Sequence, residues 1–254
     1  MFDVDRTLFN SKHRFPRGIK QIFADLTQQG LMLGVCTGRG YQALDHTVLP
    51  LFRETAPTAK HVICNGAAVV DNHQQVFFQQ PIPGQLISSL LKLLDYSERI
   101  VLSSLKTSYL NSPYYQEFKP QWSGNVQLLE DYNGEDIFVV NARGVEADFL
   151  KGTALENQLD VKYMRTTQAD PSCDITMPGV NKGAALKQWS EITKIPLSQV
   201  IVFGDSENDL DSFQVSGLRV AMGNATEKLK AAADIVIGDV DDDGLSKFLG
   251  ELLE

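Results

Sequence analysis

Cysteine is scarce and unpatterned in this sequence. Its three residues, Cys36, Cys64 and Cys173, are odd in number and far apart. That argues against a disulfide framework and against paired thiolates on zinc, and it fits a reducing compartment. Cys36 and Cys64 lie in apolar runs and read as small buried residues, with reactive thiols the lesser reading. The four histidines, His13, His46, His61 and His73, share no spacing, so surface or packing roles are expected for them in place of metal binding. No stretch approaches the ~20 apolar residues that a membrane span needs. Cations are outnumbered, 23 Lys and Arg against 32 Asp and Glu, and the formal net charge of -9 argues against nucleic acid or an anionic membrane as partner. A small anionic substrate stays compatible, because a local cation cluster can outweigh the global charge. An acidic pair begins at residue 3, which leaves no room for a secretory leader, so the cytoplasm is the expected compartment. Internal repeats and low-complexity segments are absent.

What is present starts at once, with Met1-Phe2-Asp3-Val4-Asp5-Arg6-Thr7. If Phe2 to Val4 is extended, Asp3 and Asp5 point to the same side, because strand side chains alternate with period two. Two like charges that close need a positive partner, and a hard divalent cation such as magnesium prefers oxygen ligands. Taken alone, an Asp-x-Asp is more often a solvated acidic loop; the rest of the chain changes those odds.

Strand-like and helix-like segments alternate on either side of a long middle stretch. Pro16 and Gly30 bracket a helix with Ile19, Ile22, Phe23 and Leu26 on one face. Leu31 to Cys36 reads as a buried strand running into Thr37-Gly38-Arg39. A second helix is expected over Tyr41–Leu49, and another buried strand over His61–Cys64. Ala68–Val70 and Gln75–Phe78 flank a turn at residues 71–74, a hairpin pattern. Within the middle stretch, Leu86–Leu94 and Val145–Gln158 read as helices, and residues 100–102, 137–140, 161–165 and 174–177 as strands. Lys182 then opens a helix with Ala185, Leu186, Trp189 and Ile192. Val200–Phe203 is a strand ending at Gly204-Asp205, with a helix from about Asn208. Two short strands, Leu218–Met222 and Ile235–Ile237, precede a closing helix with Leu245, Phe248, Leu249 and Leu252. With 254 residues the chain can form one large domain or two smaller ones. The alternation predicts an α/β core, residues 1–71 and 177–254, with a parallel sheet covered on both faces. Residues 72–176 read as an inserted α+β domain.

Asp3, Thr37 and Asp205 all fall at strand ends, and Lys182 opens a helix just before the last of these strands. Ligands of open parallel sheets bind outside the carboxyl ends of the strands, so the four can converge on one crevice. Asp3 and Asp205 can hold magnesium, with a carbonyl near Asp5 as a further ligand. Lys182 and the Thr37 hydroxyl can hold phosphate oxygens. Asp3 can attack phosphorus, and Asp5 can serve as general acid and then general base. The inserted domain would close over the crevice and choose the substrate. Singly, each of these residues has a bland reading: strand-end threonine, solvated lysine, acidic helix start favoured by the dipole. Their joint order and spacing favour the site.

Asp3-Val4-Asp5-Arg6-Thr7, Thr37-Gly38-Arg39, Lys182-Gly183 and Gly204-Asp205-Ser206-Glu207-Asn208-Asp209 resemble the four ordered motifs of the haloacid dehalogenase (HAD) superfamily. The insertion between the second and third motifs, together with Asn65-Gly66-Ala67 and Asp243-Gly244-Leu245, is similar to its Cof-type phosphatases. The resemblance implies a Rossmann-like parallel-sheet HAD core with an inserted α+β cap. It implies Asp3 as nucleophile and magnesium ligand, and Asp5 as acid/base with its carbonyl on the metal. Thr37 and Lys182 would bind the transferring phosphoryl group, and Asp205 would be the second carboxylate ligand. Asn208 and Asp209 would lie beside the metal, holding Lys182 or metal-bound water, and Gly38, Arg39 and Asn181 would line the substrate side. The implied activity is magnesium-dependent hydrolysis of small phosphorylated metabolites, sugar phosphates or cofactors such as flavin mononucleotide or pyridoxal phosphate. A monomer and a homodimer are both compatible.

Two positions depart from the family pattern. Only Met1 and Phe2 precede Asp3, where the family has several apolar residues, so two or more buried side chains worth about 1.5–3 kcal/mol each are expected to be lost. Arg6 stands where the family usually has Gly; it would strain a backbone that needs Gly, or add a cation near the phosphate. These departures keep a non-catalytic binder of phosphorylated metabolites in view, beside a phosphomutase. A receiver-type phospho-acceptor ranks last, because its nucleophile follows its acidic pair and a large insertion suits a lid better than a switch. In the insertion, Tyr109, Tyr114, Tyr115, Phe118 and Trp122 can form a wall for a substrate ring, but ordinary core is favoured.

Overall fold

The computed structural model describes residues 1–118, 124–146, 148–167 and 170–253. The chain divides into two compact units, one of Met1–Gly38, Val48–Phe78 and Asn181–Glu254, the other of Arg39–Thr47 and Gln79–Val180.

In the first unit Phe2 is the backbone hub. It bridges Val35 on one side and Phe203 on the other, both parallel, and Cys36 bridges Val62 in turn. Ile201–Gly204 continues the sheet by pairing parallel with Leu218–Ala221, which pairs parallel with Ile235–Val236. The parallel order therefore runs Val62, Cys36, Phe2, Phe203, Val220, Ile235. Beyond Val62 the sheet turns antiparallel, Lys60–Ile63 against Ala68–Asp71 and then Val76–Gln79.

The short first segment is well tied. Phe2 N–H donates to Gly34 O, Cys36 N–H to Phe2 O, Phe203 N–H to Met1 O and Asp3 N–H to Phe203 O, at 2.8–2.9 Å. The Phe2 ring is fully buried and stacks on Phe23 and Phe203 with centroids 5.1 and 4.9 Å away. A buried phenylalanine contributes about 1.5–3 kcal/mol, so Phe2 anchors Asp3 through side chain and backbone together.

Helices follow the apolar faces read from the sequence at Ile19–Gln28, Lys182–Thr193 and Gly244–Glu251. The helix expected over Tyr41–Leu49 is broken: Tyr41–Asp45 ends, and a new helix Leu49–Thr55 starts with Pro50 at its second position. Proline has no N–H for the preceding turn and clashes with the carbonyl four residues back, but fits a first turn.

The second unit holds a six-stranded sheet in the order Val126–Leu128, Ser108–Leu110, Arg99–Ser103, Val139–Arg143, Asp170–Thr176, Asp160–Thr167. It is antiparallel except for the first pair. The helix Gly84–Leu93 buries Ile87 and Leu90 in the core of this unit, with Ile100, Leu102 and Val140. The expected helix over Val145–Gln158 is not one; the described residues there form successive turns. Asp148 and Gly152 sit at φ 61 and 75, which a right-handed helix does not allow. Val145, Leu150, Leu155 and Leu159 are nonetheless buried, so their apolar spacing reports burial without helical geometry. Among the described residues no helix is long and apolar enough to cross a membrane.

Candidate active site

Each charged group of the site is delivered by the end of a parallel segment or by the start of a helix. Asp3 follows the Phe2 bridge, and Asp205 follows Ile201–Gly204. Lys182 is the first residue of the helix Lys182–Thr193, whose start is capped by Asn181 Oδ1 accepting from Ala184 N–H at 2.7 Å. Such a cap is worth about 1 kcal/mol and fixes where Lys182 leaves the backbone.

All these groups are buried: Asp3, Lys182, Asp205 and Asp209 are each at most 7% exposed. Lys182 Nζ donates to Asp3 Oδ1 and to Asp209 Oδ1, both at 2.6 Å. Asp209 Oδ2 accepts from the N–H groups of Asp205 and Ser206 at 3.1 and 3.2 Å, so both of its oxygens are engaged. Asp3 Oδ2 accepts no hydrogen bond among the described residues. Thr7 Oγ1 makes a long contact of 3.4 Å to Asp205 Oδ1. Gly204 permits the fold of this corner, since a Cβ there would lie 2.5 Å from Asp209 Oδ2.

Carboxylate oxygens of Asp3, Asp205 and Asp209 lie within 4.8 Å of one another. Burial pushes Asp3 well above the usual carboxylate range; Lys182 opposes this, and Asp209 and Asp205 add to it. Burial, then Asp209, push Asp205 up to about 7, against Lys182, Arg6 and Thr7. Burial also works against the Lys182 charge, but Asp209 and then Asp3 outweigh it and raise its pKa. Three buried carboxylates thus face one ammonium, an arrangement that a further cation beside them would favour. The all-oxygen donor set suits a hard metal ion.

The remaining sequence-predicted residues are placed as follows. Thr37 is buried; its N–H donates to Val62 O and its carbonyl accepts from Asn65 N–H, both at 3.0 Å. Gly38 lies against Asn65, whose Oδ1 would be 2.8 Å from a Cβ at that position. Asn208 Oδ1 accepts from Ser206 Oγ at 2.7 Å, and the Asn181 oxygen is committed to the helix cap. Arg39 belongs to the second unit. Asp5 is half-buried and bridges Phe9. Strand alternation does not place it, because the chain turns at Val4, whose carbonyl accepts from Leu8 and Phe9 N–H at 3.0 and 2.8 Å.

Two contributors escaped the sequence reading. Thr7 reaches Asp205, and Asn224 holds the loop through Arg6 O, with Nδ2 donating at 2.9 Å. The position of Thr7 inside the first motif was a signal for the one; the lone Asn224 offered none. His61 is buried, whereas His13, His46 and His73 are exposed. In the second unit Tyr109 is core: its hydroxyl donates to Glu135 Oε1 at 2.6 Å, and its ring meets Tyr132 edge-on at 5.3 Å. The Tyr114 ring lies under Arg99 at 4.9 Å. Trp122 and the Phe118 side chain lie outside the described residues.

Comparison with known proteins shows what the whole chain is similar to. YkrA of Bacillus subtilis is 27% identical, covering 99% of this chain and 96% of its own. Pyridoxal phosphate phosphatase YbhA of Escherichia coli is 25% identical, covering 97% and 95%. The crystal structure of a haloacid dehalogenase-like hydrolase from Bacteroides thetaiotaomicron superposes with a TM-score of 0.82 at 20% identity, over 99% of this chain and 97% of that one. Residues 1–249 match the family model described as haloacid dehalogenase-like hydrolase, and the chain belongs to that family.

Proposed function

We propose that this protein hydrolyses small phosphomonoesters with the help of magnesium, through a phosphoryl group carried on Asp3. The observation that carries the reading is the buried set of Asp3, Asp205 and Asp209 around the single ammonium of Lys182. Asp3 and Asp205 would hold the metal; Asp209, with both oxygens engaged, mainly positions Lys182. A bound magnesium ion would offset the charge of the phosphoryl group as a carboxylate approaches it.

Lys182 occupies Asp3 Oδ1 and leaves Oδ2 as the attacking atom. The Oδ2 lone pair forms a bond to phosphorus while the ester P–O bond breaks and its electron pair leaves on the alcohol oxygen. Asp5 delivers a proton to that oxygen. In the second half Asp5 takes a proton from water, the water oxygen bonds to phosphorus, and the bond from phosphorus to Asp3 breaks. Inorganic phosphate leaves and the Asp3 carboxylate is restored. Lys182 and Thr37 steady the phosphoryl oxygens. The named activity of YbhA supports phosphorylated cofactors as one substrate class, beside sugar phosphates.

The test is phosphate release from a panel of phosphomonoesters, with magnesium and with chelator, for the wild type and Asp3→Asn. Magnesium-dependent release is expected, with a loss of at least about a thousandfold in the variant. A well-folded wild type that releases no phosphate from any member would overturn the proposal in favour of a binding role.

A further inference from the structure

The turn that follows the strand Lys60–Ile63 is strained, and the reaction above gives it no task. Cys64, Asn65 and Gly66 lie at φ 52, 56 and 103, a region that L side chains rarely enter. Glycine and asparagine tolerate it, whereas the Cβ of a cysteine there crowds the following carbonyl. Cys64 and Asn65 are both buried; among the described residues the other non-glycine positions with positive φ, Arg6 included, are half-buried or exposed. Backbone strain persists only where the surrounding structure fixes it. The ladder shows what this strain achieves. Cys36 bridges Val62 in parallel, with Val62 N–H donating to Val35 O and Thr37 N–H to Val62 O, at 2.8 and 3.0 Å. Bonds of a parallel ladder are evenly spaced, and the next donor to Thr37 O would be Cys64 N–H. Asn65 N–H donates in its place, at 3.0 Å. The left-handed turn has slipped the chain by one residue, and the slip lays the Asn65 amide against Gly38. A Cβ on Gly38 would lie 2.8 Å from Asn65 Oδ1 and 3.4 Å from its Cγ.

We propose that Asn65 is a positioning residue for Thr37: its amide seats the Thr37–Gly38 backbone so that the Thr37 hydroxyl meets the phosphoryl group. The inference rests on the reading of Thr37 as a phosphoryl-binding residue. The backbone N–H and carbonyl of Thr37 are already tied to Val62 and Asn65, and its hydroxyl sits one short side chain from that backbone. The loose point is the next residue, since glycine has more backbone states open to it than any other residue. The Asn65 amide occupies the space that the missing Gly38 side chain leaves, and it removes those states. The left-handed Cys64 and Asn65 are what bring the amide there, because an unslipped strand would present residue 64 to Thr37 in its place.

The test uses the full chain with magnesium and inorganic phosphate, binding being read by calorimetry and turnover by kcat and KM on the best phosphomonoester. Asn65→Gly deletes the amide and keeps a residue suited to the left-handed backbone. Thr37→Val deletes the hydroxyl and keeps its shape. Asn65→Gly is expected to bind phosphate roughly three- to tenfold more weakly, the worth of about one hydrogen bond. Its kcat should fall roughly ten- to a hundredfold, with the urea midpoint close to that of the wild type. Added to Thr37→Val, the same change should cost about twofold or less, because the group it positions is gone. Wild-type phosphate affinity in Asn65→Gly would overturn the inference, as would an equal loss with and without the Thr37 hydroxyl. The second outcome also decides the case if Asn65→Gly lowers the urea midpoint, since a general loosening of the fold does not depend on that hydroxyl. Thr37→Val separates the two layers: unchanged phosphate binding there would overturn the reading of Thr37, and with it this inference. Loss of binding in Thr37→Val, with no effect of Asn65→Gly, would overturn the inference alone.

Discussion

Lys182 Nζ stands 2.6 Å from Asp3 Oδ1 and 2.6 Å from Asp209 Oδ1, with all three side chains at most 7% exposed. The ammonium therefore stabilises the fold as well as the site. Lys182→Met would leave two buried carboxylates without their counter-charge, and breaking a buried pair from one side costs about 3–5 kcal/mol. Asp3→Asn removes one of the mutually repelling carboxylates and leaves Lys182 paired with Asp209. Urea denaturation in chelator should show Lys182→Met destabilised by about 3 kcal/mol or more, with Asp3→Asn much closer to the wild type. Equal losses in the two variants would mean that the lysine balances no charge there. Adding magnesium should recover part of the Lys182→Met deficit, since a ligand that binds only the folded state stabilises it.

A second buried titratable group links stability to pH away from the site. His61 Nδ1 accepts from Val35 N–H at 3.2 Å, and Nε2 meets Asn72 Oδ1 at 2.9 Å. A backbone N–H can only donate, so Nδ1 carries no proton and the ring is neutral with its proton on Nε2. Burial lowers the pKa of His61 from 6.5 to about 4, against the Asn72 hydrogen bond. The unfolded chain binds this proton more readily, so the contribution of His61 is complete above pH 6.5 and is lost as pH falls toward 4. The full drop is worth about 3 kcal/mol. Between pH 7.5 and 4.5 the wild type should lose about 2–3 kcal/mol more stability than His61→Gln, which has no such proton to bind. Parallel pH profiles for the two proteins would refute the assignment.

The parts of this site that the sequence made legible are those set by local rules. Asp3, Thr37 and Asp205 each follow an apolar run, and a buried run must be paired, so each falls at the end of a parallel segment. Asp205 and Asp209 are joined by backbone N–H bonds within one turn, a relation that spacing alone carries. A two-residue period does not place Asp5, because it holds only while the chain stays extended, and at Val4 the chain turns. The stretch 145–158 misled for the converse reason: Val145, Leu150 and Leu155 are buried from turns, and burial spacing is not hydrogen-bond geometry. Thr7 and Asn224 act through contacts spanning about two hundred residues, which no window along the chain registers. The break between Asp45 and Leu49 was readable in principle, since Pro50 marks a helix start.

Gly66 shows how strictly the lysine is positioned. It lies at φ +103, and a Cβ there would fall 2.3 Å from Asn181 O and 2.7 Å from Asn181 C. Asn181 caps the helix that begins at Lys182, so the clash must be relieved by moving that helix start. Gly66→Ala is expected to lower kcat/KM for the best phosphomonoester about a hundredfold, the effect of a displacement near 1 Å in a catalytic group. It should also destabilise by about 2–4 kcal/mol through strain and overpacking. Gly152→Ala is the control: Gly152 also has a positive φ, 75, but a Cβ there meets nothing within 4 Å. It should lose only about 1–2 kcal/mol from the left-handed backbone and keep wild-type kinetics. If both variants lost activity alike, backbone strain would suffice and the Asn181 contact would explain nothing. If Gly66→Ala kept full activity, the start of the lysine helix could shift without moving Lys182 from Asp3, which the two 2.6 Å bonds of its ammonium make untenable.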